Sequence, residues 1–138
     1  IKVACMVPDG LSANLTGSNL ITNGTFASNI NSWTDNSGSG SSISHSSDAS
    51  GQLKFTGSAA YALATQGVTV VNGGLYAVTY RVVTAGHGSN QGDFNVGTSS
   101  NSGNVFQATG SSDTVTGWHT KNFIAQGTTN YITFKTCR

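Results

Sequence analysis

The chain has 138 residues, a formal net charge of +1, and charged side chains at only 8% of its positions. Because a domain of this length buries roughly two-thirds of the surface of its unfolded chain, a single domain spanning residues 1–138 is expected. No cluster of Lys or Arg provides a nucleic-acid surface, and no apolar run approaches the roughly 20 residues that cross a bilayer. We therefore expect neither nucleic-acid binding nor membrane insertion.

The chain is rich in Gly, Ser, Thr and Asn, which disfavour helices because Gly is flexible and the others compete for backbone hydrogen bonds. Short runs of alternating polarity, bounded by these same residues, predict β-strands. In chain order the predicted strands are residues 2–7, 20–26, 42–45, 52–56, 60–71, 75–84, 93–97, 105–108, 114–125 and 130–136. This pattern predicts an all-β, two-sheet antiparallel β-sandwich of the jelly-roll type.

Residues 1–18 are expected to form an N-terminal strand and an extended arm, and residues 19–138 the core of the domain. Three polar, Gly-rich stretches, residues 9–18, 35–42 and 85–92, are predicted to be surface loops.

Alternation within two of these strands predicts which side chains are buried. In residues 75–84 every second side chain is large and apolar, so one face is expected in the core: Tyr76, Val78, Tyr80 and Val82. The other face carries Ala77, Thr79 and Arg81. In the last strand Ile132 and Phe134 are predicted to point inward, and Tyr131, Thr133 and Lys135 outward.

A tight turn is predicted at Asn72, Gly73 and Gly74, since these residues tolerate positive φ. We expect this turn to join the flanking strands as a β-hairpin.

The segment Asn-Leu-Ile-Thr-Asn-Gly-Thr-Phe at residues 19–26, followed by Trp33, resembles the N-terminal signature of family 4/9-type carbohydrate-binding modules, which are galactose-binding-like jelly rolls. Residues 66–76 are similar to the strand, turn and strand in the middle of those modules, and residues 131–134 to their late core strand. The resemblance covers about residues 19–136.

Modules of this kind also occur in tailed-bacteriophage virions, whose proteins share this polar, Gly-rich composition. The resemblance therefore implies a noncatalytic protein of the virion surface, with a capsid decoration protein as the leading expectation. Its implied partners are a capsid or other virion protein and further copies of itself, through edge strands and through residues 1–15 and 85–92. The alternative is a glycan-binding module of a tail fibre or of a secreted, extracellular protein, with a host surface glycan as ligand.

Many such modules hold a structural calcium with acidic residues after the Asn-Gly pair, whereas those positions here are Thr25 and Ala27. Hard cations prefer carboxylate ligands, so no metal ligand or cofactor is assigned. These modules have a closing strand for which we find no counterpart in this sequence. We therefore expect residues 2–7 to take its place beside residues 130–136. A disulfide between Cys5 and Cys137 would require that arrangement, and two separate buried thiols are the alternative.

Sugar rings stack on aromatic side chains while amides bind their hydroxyl groups. The candidate glycan-binding residues are therefore Tyr61, Trp118 and Tyr131, with Asn122, Gln126 and Asn95 as polar neighbours. Trp33 and Trp118 are also expected in the core, since both lie where the resembling modules place core residues.

No catalytic residues are assigned. The five carboxylates are scattered and fall mostly in predicted turns, where Asp bonds local backbone: Asp9, Asp35, Asp48, Asp93 and Asp113. The histidines His45, His87 and His119 lie too far apart in sequence for a local metal motif.

Overall fold

The computed structural model describes residues 2–8, 17–48, 51–57, 60–83, 92–109 and 115–136. This part of the chain contains ten strands and no α-helix, so no helix in it could span a bilayer. The strands are β1 (Lys2–Pro8), β2 (Thr34–Asp35), β3 (Ser42–Ser46), β4 (Gln52–Thr56), β5 (Leu63–Thr69), β6 (Leu75–Val82), β7 (Asp93–Gly97), β8 (Phe106–Thr109), β9 (Gly117–Ile124) and β10 (Thr129–Lys135).

These strands form three antiparallel sheets. One has the order β1-β6-β9, the second β2-β5-β10-β7-β8, and β3 pairs with β4 in a two-stranded sheet. The all-β fold class is therefore confirmed, and the antiparallel sheets are consistent with the predicted β-sandwich.

Aromatic side chains join the three-stranded sheet to the five-stranded sheet. Tyr80 of β6 lies 5.1 Å, between ring centroids, from both Phe94 of β7 and Phe134 of β10. Trp33 continues the cluster, with its ring 6.0 Å from Phe134 and 5.6 Å from Phe26. The inward face predicted for β6 is confirmed, since Tyr76, Val78, Tyr80 and Val82 are all buried.

The prediction for β10 is wrong at one residue. Ile132 and Phe134 are buried as expected, but Thr133, predicted to face solvent, is 0% exposed. β10 is the central strand of its sheet, where Thr133 lies opposite Thr65 on one side and Asn95 on the other. Its hydroxyl shares a 3.3 Å hydrogen bond with that of Thr65, which lets a small polar side chain be buried there.

The predicted hairpin at residues 72–74 is also wrong, although the turn itself forms. Gly73 has φ 79°, and the Gly74 amide donates to the Val71 carbonyl at 2.9 Å. The flanking strands nevertheless enter different sheets, because β5 pairs with β2 and β10 while β6 pairs with β1 and β9. The turn bonds instead to the β9–β10 connection, through Gly73 and Gly74 with Ala125 at 2.8 Å each.

The N-terminal strand does not lie beside the last one. β1 pairs with β6 instead. β10 pairs with β5 on one side and with β7 on the other, so it has no free edge for a third strand. Cys5 belongs to β1, but Cys137 is outside the described residues, and so the predicted disulfide remains a prediction. Predicted loop residues 9–16 and 85–91 also lie outside them.

Residues 20–26 form turns rather than the predicted strand. Gln66 of β5 accepts from the Thr22 amide and donates to the Thr22 carbonyl, both at 2.8 Å. The Gln66 side chain thus pairs with the backbone amide and carbonyl of Thr22, which in a β-strand would pair with a neighbouring strand. Asn23 and Phe26 adopt positive φ values of 52° and 51°, which are incompatible with extended backbone.

The aromatic cluster predicts a large effect of truncating Phe134, which is 1% exposed. We expect Phe134→Ala to lower the free energy of unfolding by about 3–5 kcal/mol, because it leaves a cavity among Trp33, Tyr80 and Phe94. Urea denaturation measures the loss. The control Ile124→Ala, at a 61% exposed site, should change stability by no more than about 0.5 kcal/mol. Equal effects of the two substitutions would contradict the fold.

Candidate functional site

The structure separates the predicted glycan-binding residues onto two outer faces. Trp118 and Asn122 lie on β9 of the three-stranded sheet, whereas Tyr131 lies on β10 of the five-stranded sheet. Because the two sheets pack against each other through the aromatic cluster, these outer faces point away from one another. The residues therefore do not form one site, and each face must be judged separately.

The outer face of the three-stranded sheet carries the most exposed aromatic residue. Trp118, expected in the core, is 60% exposed, so that expectation is wrong. The reason is strand register: its neighbours His119 and Phe123 point inward, with the His119 ring stacked 5.2 Å from Tyr80 and the Phe123 ring 5.9 Å from Tyr76. Alternation along β9 then directs Trp118 to solvent.

Polar side chains share this face with Trp118, on the neighbouring strand β6 and further along β9. Residues directly opposite in antiparallel strands share a face, and Arg81 of β6 lies opposite Trp118. The next pair along is Thr79 and Thr120, whose hydroxyl oxygens are 2.9 Å apart. Asn122 follows, exposed and opposite the small side chain of Ala77. An exposed indole thus shares its face with a guanidinium directly opposite, two hydroxyls at the next pair along and an amide at the pair beyond.

Arg81, Thr79 and Thr120 were not among the candidates chosen from sequence. The alternation of residues 75–84 does place Arg81 and Thr79 on the outer face. Their position beside Trp118, however, depends on how β6 and β9 pair, and sequence alone does not give that register.

Tyr131 occupies a space left by glycines on the outer face of the five-stranded sheet. It lies opposite Gly67 of β5 and Gly97 of β7. A Cβ atom at Gly67 would come within 3.2 Å of the Tyr131 ring, so the ring lies close over the β5 backbone. Tyr131 is half-buried and offers less ring surface than Trp118.

Asn95 lies one step further along the same face, opposite Thr133. It is buried, and its Oδ1 atom has no hydrogen-bond partner within the part of the chain that the structure describes. An unpaired buried carbonyl oxygen costs about 1–3 kcal/mol. Because this atom is buried, it is not open to a ligand on the outer face.

Tyr61 and Gln126 contribute less. The Lys135 ammonium lies 4.1 Å from the centre of the Tyr61 ring and 3.4 Å from a carboxylate oxygen of Asp93, so one face of that ring already binds a cation. Gln126 lies in the β9–β10 connection, beyond Ile124, at the opposite end of β9 from Trp118.

The carboxylates in the described residues each have a local structural partner. Asp35 accepts from the backbone amides of Ser37 and Ile43, Asp48 accepts from the Ser46 hydroxyl, and Asp93 pairs with Lys135. Asp9 and Asp113 lie outside the described residues.

The histidines are likewise engaged locally. A ring nitrogen of His45 lies 2.9 Å from the Phe26 carbonyl, and one of His119 lies 2.8 Å from the Val115 carbonyl. His87 is outside the described residues, within which no group of three or more His, Cys, Asp or Glu side chains could hold a metal ion.

The hydrogen bonds of Asp35 lead us to expect that the protein loses stability in acid. Burial raises the pKa of its carboxyl, but hydrogen bonds from Ser37 and Ile43 to the ionised form outweigh this, so the pKa lies below its ordinary value. Because the pKa is lower in the folded state, ionised Asp35 makes its full contribution to stability at pH values above the unfolded-state pKa of about 3.9. That stabilisation is lost as the pH falls through the folded-state pKa.

We therefore expect Asp35→Asn to be less stable than the unmodified protein at pH 7, with a difference that shrinks below about pH 4. Urea midpoints measured from pH 7 to pH 2 test this expectation. A difference that stays constant across that range would contradict it.

Comparisons of the chain with protein-family models, with curated proteins and with solved structures find no match. The function is therefore argued from the residues of the two outer faces.

Proposed function

We propose that this chain is a noncatalytic, carbohydrate-binding jelly-roll domain displayed on the surface of a tailed-phage particle. The observation that carries the proposal is Trp118, whose exposed indole lies on an outer sheet face that also carries Thr79, Thr120 and Asn122. Apolar sugar faces stack on such a ring, and the hydroxyl and amide groups can bind the sugar hydroxyls. The virion location rests on composition and on the resemblance of residues 19–136 to carbohydrate-binding modules.

The path of the chain supports the jelly-roll assignment. Both the β5–β6 and the β9–β10 connections cross from one sheet to the other, and they run side by side, with the Val70 amide donating to the Thr128 carbonyl at 3.0 Å. In a jelly roll, paired strands continue together from sheet to sheet in this way. The pairs here are β5 with β10 and β6 with β9.

Removal of the indole should abolish most glycan binding. On a glycan array we expect Trp118→Ala to bind about tenfold more weakly than the unmodified protein, since loss of an aromatic stacking partner removes about 1.4 kcal/mol. Thr56→Ala, at an exposed site on β4, is the control and should bind normally. Equal array signals from Trp118→Ala and the unmodified protein would refute the Trp118 site.

Capsid decoration is the second candidate, and the open edge of β9 favours it. β9 is the last strand of its sheet, and no strand in the described residues pairs with its outer side. At its far end Ile124 is 61% exposed and Val71, in the adjoining β5–β6 turn, is 70% exposed. An unpaired edge beside exposed apolar side chains is suited to contact another protein chain.

If the β9 edge carries self-association, a charge at its apolar end should prevent it. We expect Ile124→Lys to sediment as a monomer at concentrations where the unmodified protein forms oligomers, because a lysine would have to be desolvated at the contact. Thr56→Lys, at an exposed site on β4, adds the same charge elsewhere and serves as control. An unmodified protein that remains monomeric throughout sedimentation velocity would refute self-association.

A further inference from the structure

Charge is distributed unevenly between the sheets. The three strands of the β1-β6-β9 sheet contain Lys2, Arg81 and Lys121 and no Asp or Glu. The carboxylates of the described residues belong to the other sheets and their turns, as Asp35, Asp48 and Asp93. The face that carries Trp118 is therefore part of a sheet whose only charges are positive.

Arg81 is the cation closest in register to Trp118. It is exposed, lies directly opposite Trp118, and has no ion-pair partner among the described residues. Directly opposed residues have Cβ atoms about 4.5–5.5 Å apart. A planar guanidinium that can bind a carboxylate with two parallel hydrogen bonds thus lies next to a ring that can stack on a sugar.

We propose that this face recognises an acidic saccharide, namely a polysaccharide that contains uronic acid residues. The sugar ring stacks on Trp118, its carboxylate binds Arg81, and its hydroxyls bind Thr79, Thr120 or Asn122. This inference rests on the proposed function and adds the ligand class. A neutral saccharide offers Arg81 only hydroxyl and ring oxygens, whereas a carboxylate on the stacked ring can accept two charge-assisted hydrogen bonds from the guanidinium.

The same face is poorly suited to a nucleic acid. Nucleic-acid affinity comes largely from several Lys and Arg side chains that neutralise successive phosphates. In the strand register of this face Arg81 lies between Trp118 of β9 and Lys2 of β1, and Lys121 lies on the inner face of β9, opposite Val78. Two cations at one end of a sheet beside one aromatic ring fit a single carboxylate on a sugar better than a row of phosphates.

The test is isothermal titration with oligogalacturonate and with the same oligosaccharide after its carboxyl groups have been reduced to alcohols. We expect the acidic form to bind about tenfold more tightly than the reduced form. Arg81→Gln should remove that preference, and Arg81→Lys should restore only part of it, since an ammonium lacks the two-bond geometry. Lys54→Gln removes one exposed positive charge from β4 and should leave binding unchanged.

The outcomes separate this inference from the proposed function. Equal binding of the two oligosaccharides, with both lost in Trp118→Ala, would overturn the acidic specificity and leave the carbohydrate site standing. Binding that falls equally in Arg81→Gln and Lys54→Gln would also overturn the inference, because it would reflect net charge alone. No saccharide binding by the unmodified protein, here or on a glycan array, would overturn both.

Discussion

The contact of Tyr80 with Phe94 and Phe134 is the interaction on which the rest of the structure depends. It is the point at which the three-stranded sheet meets the five-stranded sheet, and Trp33 and Phe26 extend it to the turns that precede β2. In a chain with few charges, burial of these rings is the main source of stability. The same contact sets the orientation of β6, because it fixes which face of this strand points into the core and which faces solvent.

The candidate site follows from that choice. Since Tyr80 is buried, Thr79 and Arg81 must face outward, and the pairing of β6 with β9 places Thr120 and Trp118 beside them. The His119 ring stacks on Tyr80 and anchors β9 from within. The exposed indole of Trp118 and the polar residues that share its face are the features on which the proposed saccharide site rests. The exposed side chains of Val71 and Ile124 lie at the other end of β9 from Trp118, so the proposed assembly surface and the proposed saccharide site would lie at different ends of one sheet.

Local pattern predicted nine of the ten strands in the described residues but not their partners; it missed the short β2 and placed a strand at residues 20–26, where turns form. The limits of β4 and β7 agree with the predicted ranges, and the inward face of β6 was predicted because large apolar residues alternate there. The hairpin at residues 72–74 was wrong because turn residues determine a change of direction, not which distant strand pairs with β5 or β6. Thr133 and Trp118 were predicted wrongly because their exposure also depends on strand pairing. Thr133 is buried in the central strand of its sheet, and Trp118 is exposed because of the register of β9 against β6. Arg81 could be placed on an outer face from sequence, but not beside an indole.

The environments of the two tryptophans test this account most directly. Trp33 is 7% exposed and Trp118 is 60% exposed, and the chain contains no other tryptophan. Acrylamide quenching of fluorescence should therefore resolve two equal classes in the native protein, one freely quenched and one protected. In Trp118→Phe only the protected, blue-shifted emission should remain until the protein unfolds. If the remaining tryptophan of that variant were as accessible to quencher as free indole, the packing of the sheets around Trp33 would be contradicted. If both native tryptophans were protected, the exposed position of Trp118 would be contradicted.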